Sequence, residues 1–187
     1  MVDDVTKCVE IASNSSNDIG VYIAAFAFLV SVISLYVSVR SMKIQRRHNV
    51  LSVRPLPEVT VASYENSLRV RIRNNGNGPL IIKSFIAKKG GIEKPSVIEW
   101  MEKLQNNRLW THFATDINNR SVLPGKHIPL LELTELDGEV AFAENRDLCR
   151  SWLEDIECFV EYSDVYESKF PLYKKKLDWF KSRTRKN

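Results

Sequence analysis

The chain has 187 residues, a formal net charge of +4 and 44% hydrophobic residues, a length that leaves room for one membrane helix and one soluble domain but not two. The charge is unevenly placed: the segment after the apolar stretch and the C-terminal end are basic, while residues 132–167 are acidic. Cys8, Cys149 and Cys158 contain no CxxC pair and make no metal set with the scattered His48, His112 and His127, which excludes a zinc module. Cys149 and Cys158 read as small, reduced, buried groups.

Residues 1–18 are polar, with Asp3, Asp4, Glu10 and Asp18 against Lys7, and are too short to fold alone. Residues 19–39, IGVYIAAFAFLVSVISLYVSV, carry no charge and no proline. At 1.5 Å per residue they span a hydrocarbon core of about 30 Å, which predicts a transmembrane helix. Its full length and the acidic residues before it distinguish it from a cleaved secretory signal. After it come Arg40, Lys43, Arg46, Arg47 and Arg54. Lys and Arg beside a membrane helix stay cytoplasmic, so the expectation is a single-pass protein of the cell inner membrane, with residues 1–18 outside and the C-terminal domain in the cytoplasm.

Within the helix Gly20, Ala24, Ala27, Ser31, Ser34 and Ser38 recur at alternating steps of four and three, a heptad seam of small residues. Small residues let helices approach closely in lipid, so the seam predicts a homo-oligomer. The plainer alternative is that Gly, Ala and Ser are common in membrane helices. The hydroxylated half of the seam suits either hydrogen bonds between helices or a polar path.

Residues 40–56 form a basic juxtamembrane linker, helical for two turns until Pro55 and Pro57 stop it. From Glu58 the period changes to two. EVTVASY alternates; SLRVRIRNNG puts Leu68, Val70 and Ile72 on one face and Arg69, Arg71 and Arg73 on the other; and PLIIKSFIAKKGG follows a turn at 74–79, giving three antiparallel strands. Helical spacing of Val97, Ile98, Met101 and Leu104 predicts a short helix, and LWTHFATDI another strand. A turn at Pro124-Gly125 leads into a strand through Leu130, Leu131 and Leu133, and ENRDLCRSWLEDI reads as a second helix. Two strands around a turn at 163–168 close the domain, with Ile156, Cys158, Val160 and Tyr162 sharing a face. Several short strands with regular turns and a few inserted helices fit an antiparallel β-sandwich over residues 57–173.

The stretches RVRIRNNGNGPLIIKSF, LPGKHIPLLEL and VEYSDVYESKF resemble the immunoglobulin-like cytosolic domain that follows a membrane helix in many bacterial proteins. An NNGxGP element is matched at Asn74, Asn75, Gly76, Gly78 and Pro79, and a YxDxY element at Tyr162, Asp164 and Tyr166; Glu167 stands where such proteins often have Gly. The resemblance covers most of residues 57–173. It implies a single N-terminal transmembrane helix followed by a mainly-β, immunoglobulin-like sandwich, and carries no catalytic residue. In layout the chain is also similar to membrane-anchored antiviral effectors, the type III CRISPR effectors that bind cyclic oligoadenylate.

No nucleophile, base and orienting group assemble, and neither GxSxG nor a P-loop is present, so the expectation is a non-enzyme without cofactor. Alternation points Arg69, Arg71 and Arg73 to one strand face at intervals of roughly 7 Å. With Lys83 on the next strand, and Lys88 and Lys89 widening the patch, they form a candidate phosphate site. The alternative is pairing with Asp or Glu on neighbouring strands. Residues 174–187 read as a basic tail in which Lys174, Lys175, Lys176, Trp179, Arg183 and Arg185 meet membrane lipid or nucleic acid. Two functions follow: a homo-oligomeric effector whose domain binds an anionic signal such as a cyclic oligonucleotide and whose helices disrupt the membrane, or a membrane anchor that recruits a cytosolic protein partner.

Overall fold

The computed structural model describes residues 2–181, with the side chains of residues 20–181. The chain divides into two units, Met1–Asn49 and Val50–Asn187. Helix α1, Val2–Ser52, accounts for the first. Its span Gly20–Ser52 is long and apolar enough to cross a membrane and is exposed throughout. The backbone of residues 2–18 is helical, where a segment too short to fold was expected, and the helix runs on to Ser52, more than three turns past Val39 instead of two. No proline precedes Pro55, and the helix ends at Ser52, two residues before Arg54, whose helical conformation that ring disfavours.

The second unit contains β1 (Pro57–Ser63), β2 (Ser67–Asn74), β3 (Leu80–Lys89), β4 (Ile92–Lys94), β5 (His112–Phe113), β6 (Ser121–Val122), β7 (His127–Thr134), helix α2 (Phe142–Leu153), β8 (Glu157–Ser163) and β9 (Tyr173–Lys176). One sheet has the order β1-β2-β7-β5; the other has the order β4-β3-β8-β9, with β6 beside β3. Lettered in chain order with β6 set aside, these are A-B-E-D and C′-C-F-G, the strand order of an immunoglobulin sandwich. Leu68, Val70 and Ile72 of β2 and Leu131 and Leu133 of β7 meet Leu80, Ile82 and Phe85 of β3 and Cys158 and Val160 of β8 in one core. The face expected for Ile156, Cys158, Val160 and Tyr162 is part of it.

Several elements differ from the sequence expectation. β3 does not pair with β2: the turn at 74–79 carries the chain from one sheet to the other, so the three strands are not a meander. No α-helix forms around Ile98; two single 3-10 turns, Ile98–Trp100 and Gln105–Asn107, stand in its place. Tertiary partners compete with helical bonds there, since Asn145 Oδ1 accepts the Gln105 N–H at 2.8 Å and Trp100 Nε1 donates to the Ala87 carbonyl at 3.2 Å. Asn106 and Asn107 are left-handed, at φ 54 and 53. The strand expected in LWTHFATDI shrinks to His112–Phe113.

The NNGxGP element binds the linker to the sandwich. Asn74 is fully buried; its Oδ1 accepts the N–H groups of Leu56 (3.2 Å) and Gly76 (2.9 Å), and its Nδ2 donates to the carbonyls of Gly78 (2.7 Å) and Val122 (3.0 Å). A Cβ on Gly76 would overlap the Arg54 carbonyl oxygen, and one on Gly78 that of Val53. The two glycines thus make room for the backbone of residues 53–56. Across the same end, Tyr162 stacks on Phe170 at 5.2 Å and the Arg54 guanidinium lies 5.5 Å from the Phe170 ring centre. Asp164, also buried, accepts the N–H groups of Tyr166 and Ser168 at 2.9 Å each and so folds the β8–β9 loop. Glu167 in that loop has φ 57, a conformation that favours the glycine often found there.

Candidate functional site

The alternation of β2 places Arg69, Arg71 and Arg73 on the outer face of the A-B-E-D sheet, opposite the buried Leu68, Val70 and Ile72. Across them on β7, Arg69 faces Glu132, Arg71 faces Pro129 and Arg73 faces His127; a bulge at Leu130 intervenes, beside a proline that has no N–H to give the ladder. Glu132 therefore serves two arginines. Arg71 donates through one terminal nitrogen to both carboxylate oxygens, at 3.0 and 3.1 Å, and Arg69 Nε lies 3.1 Å from Oε1. His112 Nδ1 is 3.9 Å away on the far side. The Glu132 side chain is only 11% exposed, so this carboxylate is an internal counter-ion occupying the centre of the patch. Arg73 is exposed and forms no ion pair or hydrogen bond among the described residues. Desolvation and the Arg71 guanidinium, with Arg73 and Arg69 adding and Glu132 opposing, hold His127 below its ordinary value.

Lys83 does not join the arginines. It sits at a bulge on β3, in the other sheet, where it is exposed on the opposite side of the sandwich. Lys88 and Lys89 share that sheet and are engaged, Lys88 with Glu93 at 3.0 Å and Lys89 with the Trp152 carbonyl at 2.8 Å. Strand neighbours in sequence are not neighbours in this sheet order, and the expected four-residue site is not assembled.

The segment read as a basic tail belongs largely to the domain. Lys174, Lys175 and Lys176 lie in edge strand β9, paired to Phe159, Cys158 and Glu157. Leu177 and Phe180 are fully buried, and Trp179 packs partly against the core with an edge contact to Phe180. Lys174 lies 5.6 Å from the Phe159 ring centre, and Lys181 Nζ is 2.6 Å from Asp155. Trp179 is therefore not a free membrane anchor; its spacing from Leu177 and Phe180 was the signal that this end is core. Arg183 and Arg185 lie outside the described residues.

In α1 the seam residues Gly20, Ala24, Ala27, Ser31, Ser34 and Ser38 are all exposed on one continuous helix. Ser31 Oγ donates to the Ala27 carbonyl at 2.9 Å, which spends its hydroxyl proton on its own helix. Cys149 and Cys158 are free and buried, and burial pushes both thiols up to about 12, which leaves them unreactive.

A feature that sequence reasoning missed lies at the end of the sandwich away from the linker. A cleft of about 740 Å³ is lined by Tyr64, Asn66, Glu135, Val140, Phe142 and Arg146 among others. Val140 is 98% exposed, and Tyr64 and Leu136 are more than half exposed. Arg146 holds its floor by donating to the Tyr64 and Glu65 carbonyls at 3.2 and 2.8 Å. The residues come from the β1–β2 turn, the loop between β7 and α2, and the start of α2, so no local pattern announces them.

Comparison of the chain with protein-family models, with curated proteins and with solved structures gives no match.

Proposed function

We propose that this protein is a non-enzymatic membrane anchor whose immunoglobulin-like domain recruits a cytosolic protein partner. In this reading α1 crosses the cell inner membrane once and the sandwich lies in the cytoplasm, as the excess of Arg and Lys after the span favours. The carrying observation is the cleft at the far end, where Val140 and Tyr64 stand exposed in the lining of a concavity, the chemistry of a protein-binding surface. Kinship with the bacterial NNGxGP domains is part of the proposal; its support is that the glycines and Asn74 of that element each have a structural task. The test is a photoreactive residue at Val140 of the full chain in its native membrane. One discrete adduct with a second protein, absent when the probe is at Lys83, supports the anchor; no adduct at either position overturns it.

A second reading rests on Arg73, which stands exposed beside His127 with no counter-ion among the described residues. In it the domain binds an anionic signal such as a cyclic oligonucleotide, and homo-oligomeric helices then disrupt the membrane, as in antiviral defence. Glu132 would have to yield its place between Arg69 and Arg71. Calorimetry of the full chain in nanodiscs against cyclic oligoadenylates decides: binding that strengthens in Glu132→Gln and disappears in Arg73→Ala favours the effector, and silence across the panel removes it.

A further inference from the structure

The two ends of the sandwich differ in chemistry. β1 runs from the linker at Pro57 to the turn after Ser63, and β7 runs in the same direction from His127 to Thr134. Loops therefore sort to one end or the other. At the linker end, backbone hydrogen bonds tie together Leu56 with Asn75 (2.8 Å), Asn74 with Lys126 (3.1 Å) and Gly125 with Asn74 (2.9 Å), and the Arg54–Phe170 contact brings in the β8–β9 loop. Four apolar side chains project there into solvent: Leu56, Leu123, Val165 and Tyr166, each about half exposed or more. Around them stand Arg54, Arg73, Lys126 and Lys169, against the carboxylates of Glu58 and Glu167. At the opposite end Glu65, Glu135, Asp137 and Glu144 are exposed and form no ion pair among the described residues. Most cations there are engaged, Arg108 on Glu139, Arg146 on carbonyl oxygens, Lys88 on Glu93, Lys89 on the Trp152 carbonyl and Lys181 on Asp155, with Lys103 exposed beside Arg108.

From this polarity we infer that the linker-end loops are a membrane-docking face for anionic lipid headgroups. Leu123, Val165 and Tyr166 enter the headgroup region, and Lys126 and Lys169 meet lipid phosphates. The mixture of bulky apolar and basic groups is what an anionic leaflet attracts, and the acidic far end is repelled by the same surface. Tethering selects lipid over other polyanions. Residues 40–56 separate the apolar span from β1, so chain length alone keeps the domain within about 60 Å of a leaflet. The inference holds whichever partner or signal the rest of the domain recognises.

The test uses the full chain carrying Cys8→Ser and a single nitroxide, at Leu123→Cys or at Val140→Cys, in nanodiscs of phosphatidylglycerol or of phosphatidylcholine. The expected result is several-fold lower accessibility of the Leu123 label to a water-soluble relaxing agent in phosphatidylglycerol only, with the Val140 label accessible in both. The double variant Lys126→Glu, Lys169→Glu, whose side chains are exposed and leave the core intact, should abolish the protection. Equal accessibility of the two labels in phosphatidylglycerol overturns the inference. So does protection of Leu123 in lipid-free detergent, which would assign the face to a second copy of the chain.

Discussion

At the scale of single residues, the most consequential side chain is Asn74, because four hydrogen bonds converge on an amide with no access to water. In Asn74→Ala the N–H groups of Leu56 and Gly76 and the carbonyls of Gly78 and Val122 lose their partner together, at a cost of roughly 1–3 kcal/mol for each group left buried and unsatisfied. The expected outcome is loss of at least about 3 kcal/mol of domain stability, read as a lower denaturant midpoint. Asn74→Asp should recover part of this, since it retains the acceptor. His127 gives a pH-dependent counterpart. Desolvation and the facing arginines depress its folded value below 6.5, so the unfolded chain binds the proton more readily. Its neutral form favours the fold fully above pH 6.5, and that contribution is lost as pH falls from 6.5 toward the folded value. His127→Gln should flatten stability against pH in this window; an unchanged slope would mean that neither burial nor the arginines act on the ring. Glu132 shows the limit of sequence reading at this scale. The arginine ladder was legible from alternation, but the single carboxylate that fills its centre became visible only with the β2–β7 register.

At the scale of elements, the strands were legible where one face is buried and the other solvated, as in β2, where Leu68, Val70 and Ile72 alternate with arginines. Helix α2 was legible for the same reason at a period near 3.6: Phe142, Asn145, Cys149 and Leu153 form its buried side. The stretch around Ile98 shows the same spacing but has no helix, because Val97 and Leu104 reach the core separately while the Gln105 N–H bonds to Asn145 of α2 and the Trp100 indole to the Ala87 carbonyl of β3. What alternation does not encode is which strand lies beside which. The crossing of β3 to the second sheet separated Lys83 from the arginines, and pairing of β9 with β8 turned a presumed tail into an edge strand. For α1 the open element is its small-residue seam. Ala27→Leu with Ser31→Leu thickens it at the centre while keeping the span apolar, so insertion is preserved. If the seam joins copies of the chain, crosslinking in native membranes gives oligomers for the wild type and monomer for this double variant; oligomers unchanged by the substitutions would place the contact on another face.

At the scale of the whole molecule, the arrangement of charge matters more than its sum of +4. Acidic residues precede the membrane span, basic residues follow it, and the sandwich is basic and apolar at its linker end but acidic at the other. The first of these asymmetries fixes orientation if loop lysines and arginines resist translocation. Cys8 is a convenient reporter, since Cys149 and Cys158 are buried and raised to about 12, and so do not compete for a thiol reagent in the folded protein. In spheroplasts of a bacterial host, a membrane-impermeant maleimide should label the wild-type chain, and Cys8→Ser should lose the label. Replacing Arg40, Lys43, Arg46 and Arg47 by Glu removes the charge that retains this side of the helix. Labelling of Cys8 from outside should then fall several-fold and return on permeabilisation. If the reversed variant labels as the wild type does, the orientation is not set by these four residues, and the topology inferred from them loses its basis.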